Sequence, residues 1–295
     1  MDRGIKIMNF TKPITDLIKE RTSVRSYTGK PLENDVKEEL KHLLENNSFN
    51  NPFSKFASNV RFELITMSEF DPREKRRLGT YGVIEGAQDF IVGAVEKSKY
   101  DREQYGYILE TIILAATDIG LGTCWLGGTF NRSLFSKKIN KKSDEHVPAI
   151  TPVGYWDKKN SRDVAIRSSI KANKRFPWSH LFFEGNFTNP LIQEKTAEFS
   201  TLLQMVRLGP SASNQQPWRI IKEVDKNIFH FYIVYSRSGN SQGYNIFRRL
   251  DIGIAVSHFN LSAQELGIQG NWFIDEPDIL GSENFLYIIS WKGDN

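Results

Sequence analysis

The sequence predicts a fold of mixed helices and strands that occurs twice in one chain, with two long helices paired at its centre. Three observations predict it. Gly106, Leu114, Ala116, Gly120 and Trp125 each meet the same residue 147 positions later, as Gly253, Leu261, Ala263, Gly267 and Trp272. A helix, a glycine and a tryptophan thus recur in constant register without a gap, the mark of an internal repeat. Within the first copy, Ile108, Ile112, Ala115, Ala116 and Ile119 make residues 104–119 apolar almost all round, as a buried helix requires. Around it lie short alternating or apolar runs with strand character.

In order, Ile14 to Glu20 reads as a short helix leading into Arg21-Thr22-Ser23-Val24-Arg25-Ser26-Tyr27. Leu32 to Leu44 is amphipathic, with Val36, Leu40, Leu43 and Leu44 on one side. The Asn- and Phe-rich stretch 46–58 reads as loop, and Asn59 to Met67 and Asp89 to Val95 read as strands. Between the strands, Gly79-Thr80-Tyr81-Gly82 is a turn that can face a ligand. The central helix ends at Gly120, and four glycines fall within residues 120–128, where backbone is placed so that side chains do not obstruct it. Pro148 to Tyr155 reads as a buried strand, followed by a polar, basic arm from Trp156 to Pro177. Phe199, Leu202, Leu203 and Val206 mark a further helix, and Trp218 to Val224 an apolar run.

Composition narrows the function. Of 295 residues, 39% are hydrophobic and 25% charged, the balance of a globular protein with a substantial core. A net charge of +4 spread among 35 acidic residues demands neither nucleic acid nor an anionic membrane. The lone Cys124 excludes a disulfide framework, and the first residues lack a signal-peptide core, so a cytoplasmic protein is expected. No phosphate-loop motif and no Cys/His metal spacing occurs, and the five histidines stand singly.

Two stretches carry candidate binding chemistry. In an extended segment, Arg21, Ser23 and Arg25 point the same way. Two guanidiniums and a hydroxyl on one side suit a phosphate, the alternative being a solvated polar strand. Between helix and apolar run, Gly209-Pro210-Ser211-Ala212-Ser213-Asn214-Gln215-Gln216-Pro217-Trp218 offers hydroxyls, carboxamides and backbone N–H groups with little bulk, or else an ordinary turn. Cys124 is read as a buried structural thiol, having no base beside it.

RTSVRSY, GLGTCWLGG and GPSASNQQPW together resemble the nitroreductase family of flavin enzymes, in its fused, double-length branch. The resemblance implies an α+β, nitroreductase-like fold, duplicated as a single-chain pseudo-dimer, with halves at 1–175 and 176–295. It implies FMN as cofactor and NAD(P)H as co-substrate. Arg21, Thr22, Ser23 and Arg25 match the phosphate and ribityl contacts, Arg175 the basic arm returning to the phosphate, and Leu126, Gly127 and Gly128 the backbone beside the central flavin nitrogen. Pro210, Ser211, Ala212, Ser213 and Asn214 match the loop that comes from the other subunit in ordinary members. Tyr81 is the positional candidate at the substrate face. Each motif occurs once, so one FMN per chain is expected, in a monomer that reduces a small electron-poor acceptor without an acid–base side chain. A non-catalytic flavin binder, or another flavin reaction, fits the same residues. A glutamate that some members carry is replaced by Gly127, and a second basic ligand of the arm by Asn173.

Overall fold

Ile14, Leu17 and Ile18 fall at helical spacing and are buried on α1 (Ile14–Glu20). The computed structural model describes residues 10–45, 51–56, 59–80, 82–156, 161–169, 171–235 and 242–294. Two compact units emerge: Met1–Lys12 with Glu20–Ala172, and Pro13–Lys19 with Asn173–Asn295. Nearly all of α1 and the arm residues Asn173, Lys174 and Arg175, expected with the first half, therefore belong to the second unit. Contacts remote in sequence decide this: the Thr15 N–H donates to the Glu265 carboxylate at 3.0 Å.

In the first unit, α2 (Asn34–Glu45) packs on β1 (Val60–Thr66). The short α3 (Pro72–Lys75) is capped by Asp71, which accepts the N–H groups of Arg73 and Glu74. The strand β2 (Asp89–Glu96) is buried on both faces. After it come α4 (Asp101–Asp118), β3 (Gly122–Thr123), α5 (Arg132–Lys138), β4 (Glu145–His146), β5 (Ile150–Gly154) and α6 (Ser161–Ser169). The sheet order is β1-β2-β5-β3, antiparallel throughout, with β4 pairing the end of β2. Tyr105 of α4 is buried and donates its hydroxyl to the Ala149 carbonyl at 2.6 Å, tying the helix to the sheet.

The second unit holds α7 (Trp178–Leu181), β6 (Phe182–Glu184), α8 (Phe199–Leu208), β7 (Trp218–Lys222), β8 (Ile228–Val234), α9 (Gln242–Glu265), β9 (Gly270–Phe273) and β10 (Phe285–Gly293). Its sheet runs β6-β7-β8-β10-β9, with β6 parallel to β7 and the rest antiparallel. The segment β7-β8-β10-β9 therefore repeats the order and directions of β1-β2-β5-β3. The two long helices also end alike. Gly120 (φ +81°) donates to Thr117 and Leu121 to Ala116, while Gly267 (φ +70°) donates to Gln264 and Ile268 to Ala263. Both are Schellman closures, which need a left-handed residue at that point. Among the described residues, no helix is long and apolar enough to cross a membrane.

Candidate functional site

The arginine segment lies within the first unit as an extended strand. Ser23 bridges Thr123 of β3 in parallel, and the Val24 N–H donates to the Thr123 carbonyl at 2.8 Å. On its other side the Arg25 carbonyl accepts the Glu85 N–H. Gly122 allows this approach: a Cβ there would stand 2.7 Å from the Trp156 ring and 2.9 Å from the Val24 side chain.

The basic arm closes over the segment from behind. Its first part forms α6, whose buried Asp163 accepts the N–H of Arg25 at 3.0 Å, that of Ser26 at 3.3 Å and the Ser26 hydroxyl at 3.2 Å. One helical turn on, Arg167 donates to the Thr22 hydroxyl at 3.0 Å. Neither residue stands out in the sequence, where they look like solvated charges.

Arg21, Ser23 and Arg25 lie near the Cys124 thiol. Burial raises the Cys124 thiol pKa; the charges of Arg25 and Arg21 and a hydrogen bond from Ser23 oppose the rise. Cys124 is buried, as a structural thiol should be. The guanidiniums are little engaged. Arg25 donates only to the Ser23 carbonyl, at 3.4 Å, and Arg21 makes no hydrogen bond among the described residues. Arg21 lies instead beside Glu110 of α4, with Nε 3.7 Å from the carboxylate. A small cleft opens here, lined by Glu20, Arg21, Thr22, Gly120, Gly122 and Trp156 among others.

The glycine segment follows β3. Trp125 donates its indole N–H to Glu110 at 2.7 Å. Leu126 exchanges both backbone bonds with Ile150, so its own N–H is spent. The N–H groups of Gly127 and Gly128 have no acceptor among the described residues. Arg132 holds this backbone by donating to the carbonyls of Gly127 at 2.7 Å and Val147 at 2.8 Å.

The P-S-A-S-N loop lies in the second unit, together with Arg175. Ser213, Asn214 and Gln216 all have positive φ, at +51°, +55° and +45°. Such backbone persists only where its surroundings fix it. The Ser211 hydroxyl accepts the Gln216 N–H at 2.8 Å, and the Asn214 carboxamide donates to the Lys174 carbonyl at 2.9 Å. Arg175 donates to the Leu208 carbonyl at 2.9 Å and to Asn214 at 3.4 Å, while the Gln216 side chain accepts the Phe176 N–H at 2.8 Å. The arm thus continues into the loop, with Gln216 as its joint. Beneath the loop, the Ala212 N–H donates to Asp251 of α9 at 3.0 Å. Burial raises that carboxyl to about 8, partly offset by the Ala212 N–H and the Arg248 charge. Pro210 stands between α8 and the loop. Tyr81 lies outside the described residues, although its neighbours Thr80 and Gly82 form the expected turn.

These donors fit FMN. Two sparsely bonded guanidiniums beside a hydroxyl suit its phosphate, and two open N–H groups on a glycine backbone suit the edge of a flat ring. Among the described residues no cluster of three metal-ligating side chains exists.

A family model described as "Putative TM nitroreductase" matches residues 13–263. Among solved structures, a putative nitroreductase from Thermotoga maritima is 20% identical, covers 99% of this chain and 98% of its own, and superposes with a TM-score of 0.58. At that identity the likeness establishes the fold. A nitroreductase family protein from Clostridium difficile is 18% identical over 59% of this chain and 96% of its own, with a TM-score of 0.40. An oxidoreductase containing FMN is 19% identical over 64% of this chain and all of its own, with a TM-score of 0.46. No curated protein matches the chain.

Proposed function

The chain belongs to the nitroreductase family described by that model, and from this premise we propose that it is an FMN-dependent oxidoreductase using NAD(P)H. Bound FMN supplies the redox chemistry, taking a hydride from NAD(P)H and reducing an electron-poor acceptor such as a nitroaromatic or a quinone. The protein's own part is to hold and orient. Arg21, Ser23 and Arg25 would hold the phosphate with charge-assisted hydrogen bonds, and Arg167 donates to the neighbouring Thr22 hydroxyl. The Gly127 and Gly128 N–H groups present dipoles to the ring, a preorganised contribution that needs no titrating side chain. The Ser211 hydroxyl is engaged within its own loop and the Asn214 carboxamide with the Lys174 carbonyl.

The observation that carries this reading is the arginine segment. Arg21, Ser23 and Arg25 alternate along one segment, and among the described residues the two guanidiniums make one hydrogen bond in all, from Arg25 to the Ser23 carbonyl at 3.4 Å. A visible spectrum of the purified protein, taken before and after anaerobic NAD(P)H, tests it. A flavin spectrum that bleaches is expected. Colour that persists under NAD(P)H makes the protein a flavin binder instead, and a colourless protein that takes up no added FMN refutes the reading.

A further inference from the structure

We propose that Glu110 is a positioning residue for the flavin phosphate, acting through Arg21; this rests on the reading just given. Glu110 is fully buried on α4. Its Oε2 accepts the Trp125 indole N–H at 2.7 Å and its Oε1 lies 3.7 Å from Arg21 Nε. One carboxylate therefore touches the residue that opens the arginine segment and the residue that leads into Leu126-Gly127-Gly128.

The geometry of the Arg21 contact sets the role. At 3.7 Å the pair is beyond hydrogen-bonding distance, so Glu110 supplies counter-charge without consuming a donor. The closest approach is through Nε, and Arg21 is among the residues that line the cleft, with Glu20, Thr22 and Trp156. The Arg21 side chain is only 8% exposed, so its charge is costly without a partner. A guanidinium held from behind by a buried carboxylate keeps its fork aimed, and bidentate phosphate recognition depends on that aim.

Elsewhere in the chain an indole N–H is anchored without a charge. Trp272, which stands where Trp125 does in the first copy, donates its indole N–H to the neutral Asn260 at 2.8 Å. No R-x-S-x-R segment precedes it in the second half.

The test uses the full chain stripped of flavin, with dissociation constants for FMN and riboflavin measured by fluorescence quenching. Riboflavin lacks the phosphate and reports everything else. Glu110→Gln retains an acceptor for the indole and loses the charge. It is expected to keep the Trp125 indole N–H resonance in place, hold riboflavin affinity within about twofold, and reduce the preference for FMN by about tenfold, as weakening one charge-assisted hydrogen bond would. Glu110→Ala should also shift the indole resonance. An unchanged preference, a raised preference, or equal loss of both ligands in Glu110→Gln overturns the inference while leaving the functional reading intact. A parent protein that binds neither ligand overturns both.

Discussion

Arg21, Arg25 and Arg175 are all cationic and all assigned to the phosphate, yet their bonds differ, and so should their variants. Arg21→Ala and Arg25→Ala should each weaken FMN roughly ten- to a hundredfold, at about 1.5–3 kcal/mol per charged contact; Arg21→Ala also leaves the buried Glu110 without its counter-charge. Arg175→Ala also removes donors to Leu208 and Asn214, so it should lower the melting temperature as well. Equilibrium dialysis with FMN and thermal melts of the three variants separate these outcomes. Asp251 gives a second expectation. Its folded pKa of about 8 lies above the unfolded value of about 3.9. The stability it contributes is therefore fully present below about pH 4 and lost as pH rises towards 8. At about 1.4 kcal/mol per unit, on the order of 3–5 kcal/mol separates the ends of that window. Asp251→Asn keeps an acceptor for the Ala212 N–H and cannot ionise, so it should melt higher than the parent at pH 8 and flatten the pH profile. An unchanged profile would show that Asp251 is not held neutral. Alternation marks Arg21, Ser23 and Arg25 as candidates in the sequence. Asp163 and Arg167 were not legible, because they reach their partners across 138 and 145 residues and resemble any surface charge until the chain is folded.

At the level of elements, the central helix and its closing glycine were legible because one physical pattern specifies each. An all-round apolar run predicted 104–119 and α4 spans Asp101–Asp118. The Schellman closures explain why a glycine recurs at both helix ends. They also predict the cost of replacing it. A Cβ at Gly120 or Gly267 meets no atom within 4 Å, so Gly120→Ala and Gly267→Ala should lose only the backbone term, about 1–2 kcal/mol in urea denaturation, with FMN affinity kept. Gly122→Ala is different in kind. Its Cβ would meet Trp156 and Val24, so it should displace the arginine segment and weaken FMN more than it lowers stability. Equal effects in all three variants would show that Gly122 serves the strand and not the site. The helix α6 was not legible: its arm reads as polar and basic, and only the pairing of Asp163 with the arginine segment gives it one buried side.

For the molecule as a whole, the strand orders β1-β2-β5-β3 and β7-β8-β10-β9 rhyme, beside the 147-residue register of the sequence. The assignment of Pro13–Lys19 to the second unit was not legible, since it depends on bonds such as that from Thr15 to Glu265, 250 residues away. We read the rhyme as a fused pair that works as a monomer with one FMN. The motifs argue for it by their distribution: R-x-S-x-R occurs once, in the first half, and P-S-x-x-N once, in the second. A second flavin would have neither arginines for its phosphate nor a small polar loop for its ring, and an unpaired buried phosphate is costly. Flavin released by acid should therefore approach one per chain, with light scattering giving the mass of a single chain at concentrations where activity is full. A ratio near two would refute the single site. Activity that falls on dilution together with the scattering mass would show that a second chain, and not the second half of this one, completes the site.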